Sequence, residues 1–469
     1  ATLGGTVSGG AGTDTLNLSA HASTTDTALN TTLTGVDADN GFAGSVVTGG
    51  AVTITGFSGI DALVGSADDG AGNDLGGDTL AVTDTLTGQN ADSFVTVTGT
   101  GSGTYDDDDG VTGITAAELA FSDVEALQGG DQVDTFDIAT DFGGSIAGGA
   151  GNDVFDFNGG DATTVSGDDD DDEFNLVNTT QVVAAAIDGG AGTNTVNGLA
   201  TAANTFTVNS ANNVTVLATD DTGTFTASNV QNATGGSQAD EFSFAAGGSL
   251  GGSVNGAGGI DELDVAGAAA VTVNLGSSSA TVLNGGNPDG FSSIERFTGN
   301  GTTDVLVATG GADIFVTTDV NDGTVAGVTY TDFANISGGA GEDVFNLQHD
   351  VTGTVNGDAG DDVFNLTALQ TGLIDGGADG ANGDVINGVA TANLFIVSSE
   401  NGGTANGTTF ANVENLTGGA AADEFRFADG ATLGGTVSGG AGTDTLNLSA
   451  HASTTDTALN TTLTGVDAD

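Results

Sequence analysis

The chain has 469 residues, of which 82 are Gly, 64 are Asp or Glu, and only two, Arg296 and Arg426, are basic. A net charge of −62 excludes nucleic-acid binding, since almost no cationic side chains could replace the counterions around phosphate, and it predicts repulsion from anionic membranes. The absence of Cys excludes disulfides and thiolate metal sites, and no apolar run reaches the roughly 18 residues of a membrane-spanning helix, so no membrane insertion is expected.

Residues 1–39 return without a substitution as 431–469, which sets a period of 430. The chain opens with neither an initiator Met nor a basic-plus-apolar leader, so residue 1 is read as an internal point of a longer tandem polypeptide. An older duplication lies inside the period. TGGSQADEFSF (234–244) returns as TGGAAADEFRF (417–427), and LGGSVNGAGGIDEL (250–263) as LGGTVSGGAGTDTL (433–446). FSGIDALVG (57–65) and FSDVEALQG (121–129) are 64 residues apart, which marks an internally copied block. Three segments follow: a longer first subrepeat at 1–247, a second at 248–430, and the start of the next identical repeat at 431–469.

The smallest repeat carries the fold. GGAGNDVFDF (148–157), GDDDDDEFNL (167–176) and GGAGTNTVNG (189–198) are matched by GGAGEDVFNL (338–347), GDAGDDVFNL (357–366) and GGADGANGDVIN (376–387). Each unit reads as an apolar residue, a Gly-rich turn, Asp, then alternating apolar positions such as Phe155/Phe157 and Phe345/Leu347. Alternation at period two is a strand signal, and Gly permits the left-handed backbone of a tight corner. Short strands joined by Gly corners every 19 to 22 residues predict an all-β, parallel β-solenoid of the β-helix or β-roll kind, continuing as a filament. Its equivalent phenylalanines should stack inside. A second string, FSGIDALVG, FSDVEALQG, FSSIERFTG (291–299) and FANVENLTGG (410–419), predicts one special coil per subrepeat. The less periodic stretches 20–56, 100–116 and 266–290 are read as bulging turns or looser coils.

GGAGTDTLN (9–17), GGAGNDVFD (148–156) and GGAGEDVFN (338–346) fit Gly-Gly-x-Gly-x-Asp-x-apolar-x throughout. This resembles the calcium-binding nonapeptide of the bacterial repeats-in-toxin family, whose fold is a parallel β-roll. The broader pattern is similar to that of giant β-strand-repeat surface proteins of bacteria. The resemblance implies secretion and Ca2+ between stacked turns, with Asp14, Asp153 and Asp343 as ligands, joined by Asp172, Asp362 and Asp384 from degenerate turns, and Asp444 as the copy of Asp14. Full matches are isolated rather than consecutive. The alternative is that each Asp caps its corner by accepting backbone N–H bonds. Asp106–Asp109 and Asp168–Asp172 read as solvated acidic turns, because EF-hand spacing would put Tyr105 first and Ala116 last.

Residues 431–469 hold four acids and no base, which leaves −58 for one period. Roughly 21 coils at strand spacing span about 100 Å, an axial charge density near that of duplex DNA. Such a rod should gather cations, divalent ones most effectively. Catalysis is not expected: there is no Lys or Cys, and the histidines are His21, its copy His451, and His349. A polysaccharide-acting β-helix enzyme is the least favoured alternative. The expected role is an extracellular or surface-tethered fibre that associates with itself or continues in the same chain, with a matrix or adhesion function. The runner-up is a ligand-binding adhesin for carbohydrate or ice, for which TVTVTGTG (96–103) and TTLTG (31–35) supply Thr at period two but not at coil spacing.

Overall fold

A computed structural model of the chain describes residues 3–10, 13–18, 29–36, 41–48, 51–60, 62–64, 84–107, 118–178, 186–218 and 225–450. His21, His451, Asp108, Asp109 and Ala116 lie outside the described residues, as do 451–469 of the final repeat. The fold is all-β, with one short 3-10 turn at Asn284–Gly286 and no α-helix among the described residues. No helix there is long and apolar enough to cross a membrane. The chain divides into two compact units, 1–242 with 248–259 and 243–247 with 260–469.

In the first unit the Gly-rich repeat folds as two parallel ladders. One joins Ala126–Gln128, Ser145–Ala150, Thr164–Asp169 and Ala186–Asp188, so that Ile146 pairs with Val165 and Val165 with Ile187. The other joins Asp134–Ile138, Val154–Phe157, Glu173–Leu176 and Thr195–Asn197. The second unit repeats the arrangement. Ile336, Val355 and Ile374 line one ladder, and Phe345, Phe364 and Ile386 the other. Each coil thus supplies two short strands, and each strand meets its counterpart one repeat later.

Side chains that point inward make the core. Phe136, Phe155 and Phe174 stack with centroids 5.1 and 5.0 Å apart, and Phe315, Phe345 and Phe364 stack at 4.7 and 5.0 Å. All six are buried. Burying one such ring contributes about 1.5–3 kcal/mol, and aromatic pairing adds roughly 0.5–1.5 kcal/mol. On the other face of the same strands, amides form a ladder of their own. Asn365 Nδ2 donates to Asn346 Oδ1 at 3.0 Å, and Asn387 Nδ2 to Asn365 Oδ1 at 2.8 Å.

Of the less periodic stretches, 266–290 is mostly turns, as expected, whereas most of the described residues of 20–56 and 100–107 belong to antiparallel strands inserted between parallel rungs. Leu29–Val36, Phe42–Thr48 and Ala51–Ile60 form one such meander, and Ser93–Gly99, Ser102–Asp107 and Glu118–Ser122 another. Three more occur at 204–228, 314–331 and 394–411. Within 266–290, Thr272–Asn274 pairs antiparallel with Ser279–Ala280. The 19-to-22-residue coil therefore holds only where no hairpin is inserted; with one, Ile374 meets Phe410 and Val196 meets Ala233. The inserted turns are chemically specified. Asn406–Gly407 and Ala326–Gly327 each place both residues at positive φ, the geometry that lets a two-residue hairpin match strand twist.

The recurrent FSDVEALQG-type string marks where a meander or hairpin rejoins the parallel stack. Its third residue turns the corner in the left-handed region, with φ of 55° at Asp123, 52° at Ser293 and 51° at Asn412. Two further members share that corner without the Phe: Asn229 at 54° and Asp332 at 56°.

Candidate metal centre

The Gly corner and its Asp form one unit. In GGAGND, Gly149 and Gly151 take φ of +110° and +117°, a conformation open to Gly at little cost. The Asp153 carboxylate folds back over the turn. A Cβ at Gly148 would overlap Asp153 Oδ2 and the Gly167 carbonyl, which is why the first position must be Gly. Gly167, Gly338, Gly357 and Gly376 stand in the same relation to Asp172, Asp343, Asp362 and Asp384.

Each carboxylate also reaches the coil before it. Asp153 Oδ1 accepts the Asp134 N–H at 2.8 Å, and Asp172 Oδ1 accepts the Asp153 N–H at 2.9 Å. In the second unit Asp343 accepts from Asp313, Asp362 from Asp343 and Asp384 from Asp362, at 2.7–2.8 Å. Asp444 Oδ1 accepts the Asp423 N–H at 2.9 Å. The column continues through the recurrent string. Glu125 Oε2 accepts from Asp84, Glu295 Oε2 from Asp261, and Glu414 Oε2 from Asp384, at 2.8–3.0 Å. The string's Glu therefore does for its coil what the corner Asp does for the others.

The second carboxylate oxygen separates two classes of corner. In GGDQVD, GGSQAD and GGAAAD the second Gly donates its N–H to Oδ2 of Asp134, Asp240 and Asp423, each at 2.6 Å. In the nonapeptide-type corners the second residue is left-handed instead: Gly149, Asp168, Gly339, Asp358 and Gly377 have φ between +70° and +110°. There Oδ2 of Asp153, Asp172, Asp343, Asp362 and Asp384 is buried and accepts no hydrogen bond. Burial, helped by the neighbouring acids, pushes Asp153 up to about 8, Asp172 and Asp362 to about 7, and Asp343 and Asp384 to about 6.

Among the described residues, one group brings three carboxylates together. An oxygen from each of Asp379, Asp384 and Glu414 lies within 4.8 Å of the others. Asp384 and Glu414 are buried and Asp379 is exposed. Burial pushes Glu414 up to about 7, aided by a carboxyl–carboxyl hydrogen bond with Asp379 and by the charges of Asp379 and Asp384. An all-oxygen, polyanionic donor set suits a hard divalent cation.

The sequence-derived set is thus divided. Asp384 joins a cluster able to hold a metal ion. Asp153, Asp172, Asp343 and Asp362 sit with Asp384 in the carboxylate–amide columns, an arrangement compatible with both the ligand and the capping readings. Asp14 and Asp444 are half-buried, and the Asp14 carbonyl accepts the Ala62 N–H at 3.1 Å. Asp379 and Glu414 were not anticipated. The signal was present, since GGADGANGD inserts residues into the corner and NVEN repeats an acid at the string's fifth position. Their convergence needed the coil register. No family model matches the chain, and no curated protein matches it.

Proposed function

We propose that the chain is a segment of a secreted structural fibre, a parallel β-solenoid continued through tandem 430-residue repeats, stabilised by divalent cations such as Ca2+. The observation that carries this reading is the behaviour of the duplicated segment. Val7 and Leu16 pair with Phe57 and Leu63, which follow them in the chain. Their identical copies, Val437 and Leu446, pair with Leu416 and Phe425, which precede them. One sequence therefore accepts a parallel rung on either side, as a repeat flanked by two others must.

Charge distribution supports the same reading. The joint faces are nearly neutral in an otherwise acidic chain: Asp444 is the only acid in 431–450, and Asp61 the only one in 51–64. Repulsion is thereby kept away from the surfaces that would meet. The role is structural rather than catalytic. Both arginines are engaged on the surface, Arg296 with Glu262 at 3.6 Å and Arg426 with Glu424 at 2.7 Å, so no free guanidinium is offered to a substrate. The Thr-ladder adhesin remains the runner-up: Thr96 faces Thr104 within its own hairpin but Asp137 in the parallel stack, so the Thr pairing does not pass to the next coil there. An extracellular matrix or surface-adhesion setting suits a chain without Cys, Met or Lys, which offers few sites to oxidants or trypsin. Electron microscopy of the native material tests the proposal. A continuous filament with an axial repeat near 100 Å, the length of about 21 rungs, is expected; isolated globular particles would overturn it.

A further inference from the structure

We propose that Asp379, Asp384 and Glu414 bind one divalent cation of Ca2+ type, pinning the coil that ends at Asp384 to the coil that carries Glu414. This locates the cation requirement of the fibre and rests on that part of the reading.

Three observations converge on it. First, the three carboxylates present oxygens within 4.8 Å of one another, a spread that Ca–O bonds of about 2.3–2.6 Å can bridge. Second, Asp384 is fully buried, its Oδ1 is committed to the Asp362 N–H, and the oxygen left over, Oδ2, has no hydrogen-bond partner. A Cβ at Gly376 would overlap both this Oδ2 and the Asn412 carbonyl, so two acceptors crowd one corner with no donor between them. An unpaired buried acceptor is costly, and a cation satisfies both.

Third, the first unit contains the same corner without the charge. Asn194 occupies the position of Asp384 and Gln231 that of Glu414. The Asp172 N–H donates to Asn194 Oδ1 at 2.8 Å and the Asn194 N–H to Gln231 Oε1 at 2.6 Å. Asn194 Nδ2 then donates to the Asn229 carbonyl at 3.0 Å, and Asn229 is the counterpart of Asn412. Amides are therefore sufficient for the fold at this corner. Carboxylates in their place, joined by Asp379 from the lengthened turn, bring like charges together where the backbone does not need them. Glu414 is held by the Asp384 N–H at 3.0 Å and by Asn401 Nδ2 at 2.6 Å, so the site is positioned before any ion arrives.

The test is calorimetric titration of the chelator-treated full chain with CaCl2 at 0.15 M NaCl, where diffuse counterion binding is weakened, together with thermal melts. Asp384→Asn/Glu414→Gln copies the first unit's corner and should fold normally while losing one Ca2+ equivalent and its share of the Ca2+-induced rise in Tm. Asp379→Asn changes an exposed side chain and should weaken that equivalent by about tenfold, as expected when ligand charge is removed; it serves as the second variant should the double one fold poorly. Unchanged stoichiometry and unchanged melting shift in these variants would overturn the site and leave diffuse cation stabilisation standing. A wild-type chain whose melting ignores Ca2+ at matched ionic strength would overturn both.

Discussion

Two columns of corner side chains, one in each unit, follow the same path with different charge. The first runs Asp134, Asp153, Asp172, Asn194, Gln231; the second runs Asp313, Asp343, Asp362, Asp384, Glu414. From the second member onward, each uses one oxygen to accept the backbone N–H of the member before it. That function needs an acceptor of the right length and no charge at all, as Asn194 and Gln231 demonstrate. The remaining atom decides the rest. The amide nitrogen of Asn194 closes its corner by donating to a carbonyl, whereas Oδ2 of Asp153, Asp172, Asp343, Asp362 and Asp384 meets no donor, a state that a proton or a cation relieves.

The largest expected effect lies where the two units agree. Phe155→Ala in the first stack and Phe345→Ala in the second should each cost about 3–5 kcal/mol in denaturant unfolding. A large difference between them would show that the two cores are not equivalent. Next come the corners. Gly148→Ala and Gly338→Ala drive a methyl group into the Asp carboxylate of the same turn and should cost about 1–3 kcal/mol. Gly310→Ala, whose Cβ would meet nothing within 4 Å, should be close to neutral.

The pH response distinguishes the columns more finely. A carboxyl whose pKa is raised by folding contributes stability that is full below its unfolded value and is lost as pH rises through the folded one. With Asp153 raised from 3.8 to about 8 and Asp172 to about 7, stability without divalent ions should fall between about pH 4 and pH 8. Asp153→Asn/Asp172→Asn should flatten that fall more than Asp343→Asn/Asp362→Asn, because Asp343 reaches only about 6. Equal flattening, read from melting temperature against pH, would contradict the ordering. The smallest effect is expected from Asn365→Ala, which interrupts the external amide ladder and should cost about 0.5–1.5 kcal/mol.

The parallel ladders were legible because their signal is local and repeated. Phe155 and Phe174, or Phe345 and Phe364, share one sequence context, and identical contexts at fixed spacing stack. The inserted hairpins were harder to read. Asn406–Gly407 is a strong turn signal, but its flanking strands lack the Gly-Asp corner that marks the regular coil. The corner Asp carried two readings, ligand or cap, and both are consistent with the same motif. What separates GGAGND from GGSQAD is the handedness of the second residue, which decides whether an N–H reaches Oδ2. Motif matching could select the left-handed class without revealing why it differs.

Composition, the identity of 1–39 with 431–469 and the Gly-Asp period by themselves determined an acidic all-β chain with parallel strands and stacked phenylalanines, since burial at period two and Gly at a left-handed corner depend on residues a few places apart. Only the tertiary structure decided that Asp379, Asp384 and Glu414 meet, that the string's Glu completes the carboxylate column, and that Asn194 and Gln231 are its neutral equivalents. Those relations join residues 30 or more places apart, and their distance in space is fixed by how many hairpin residues each coil holds before it returns to the stack.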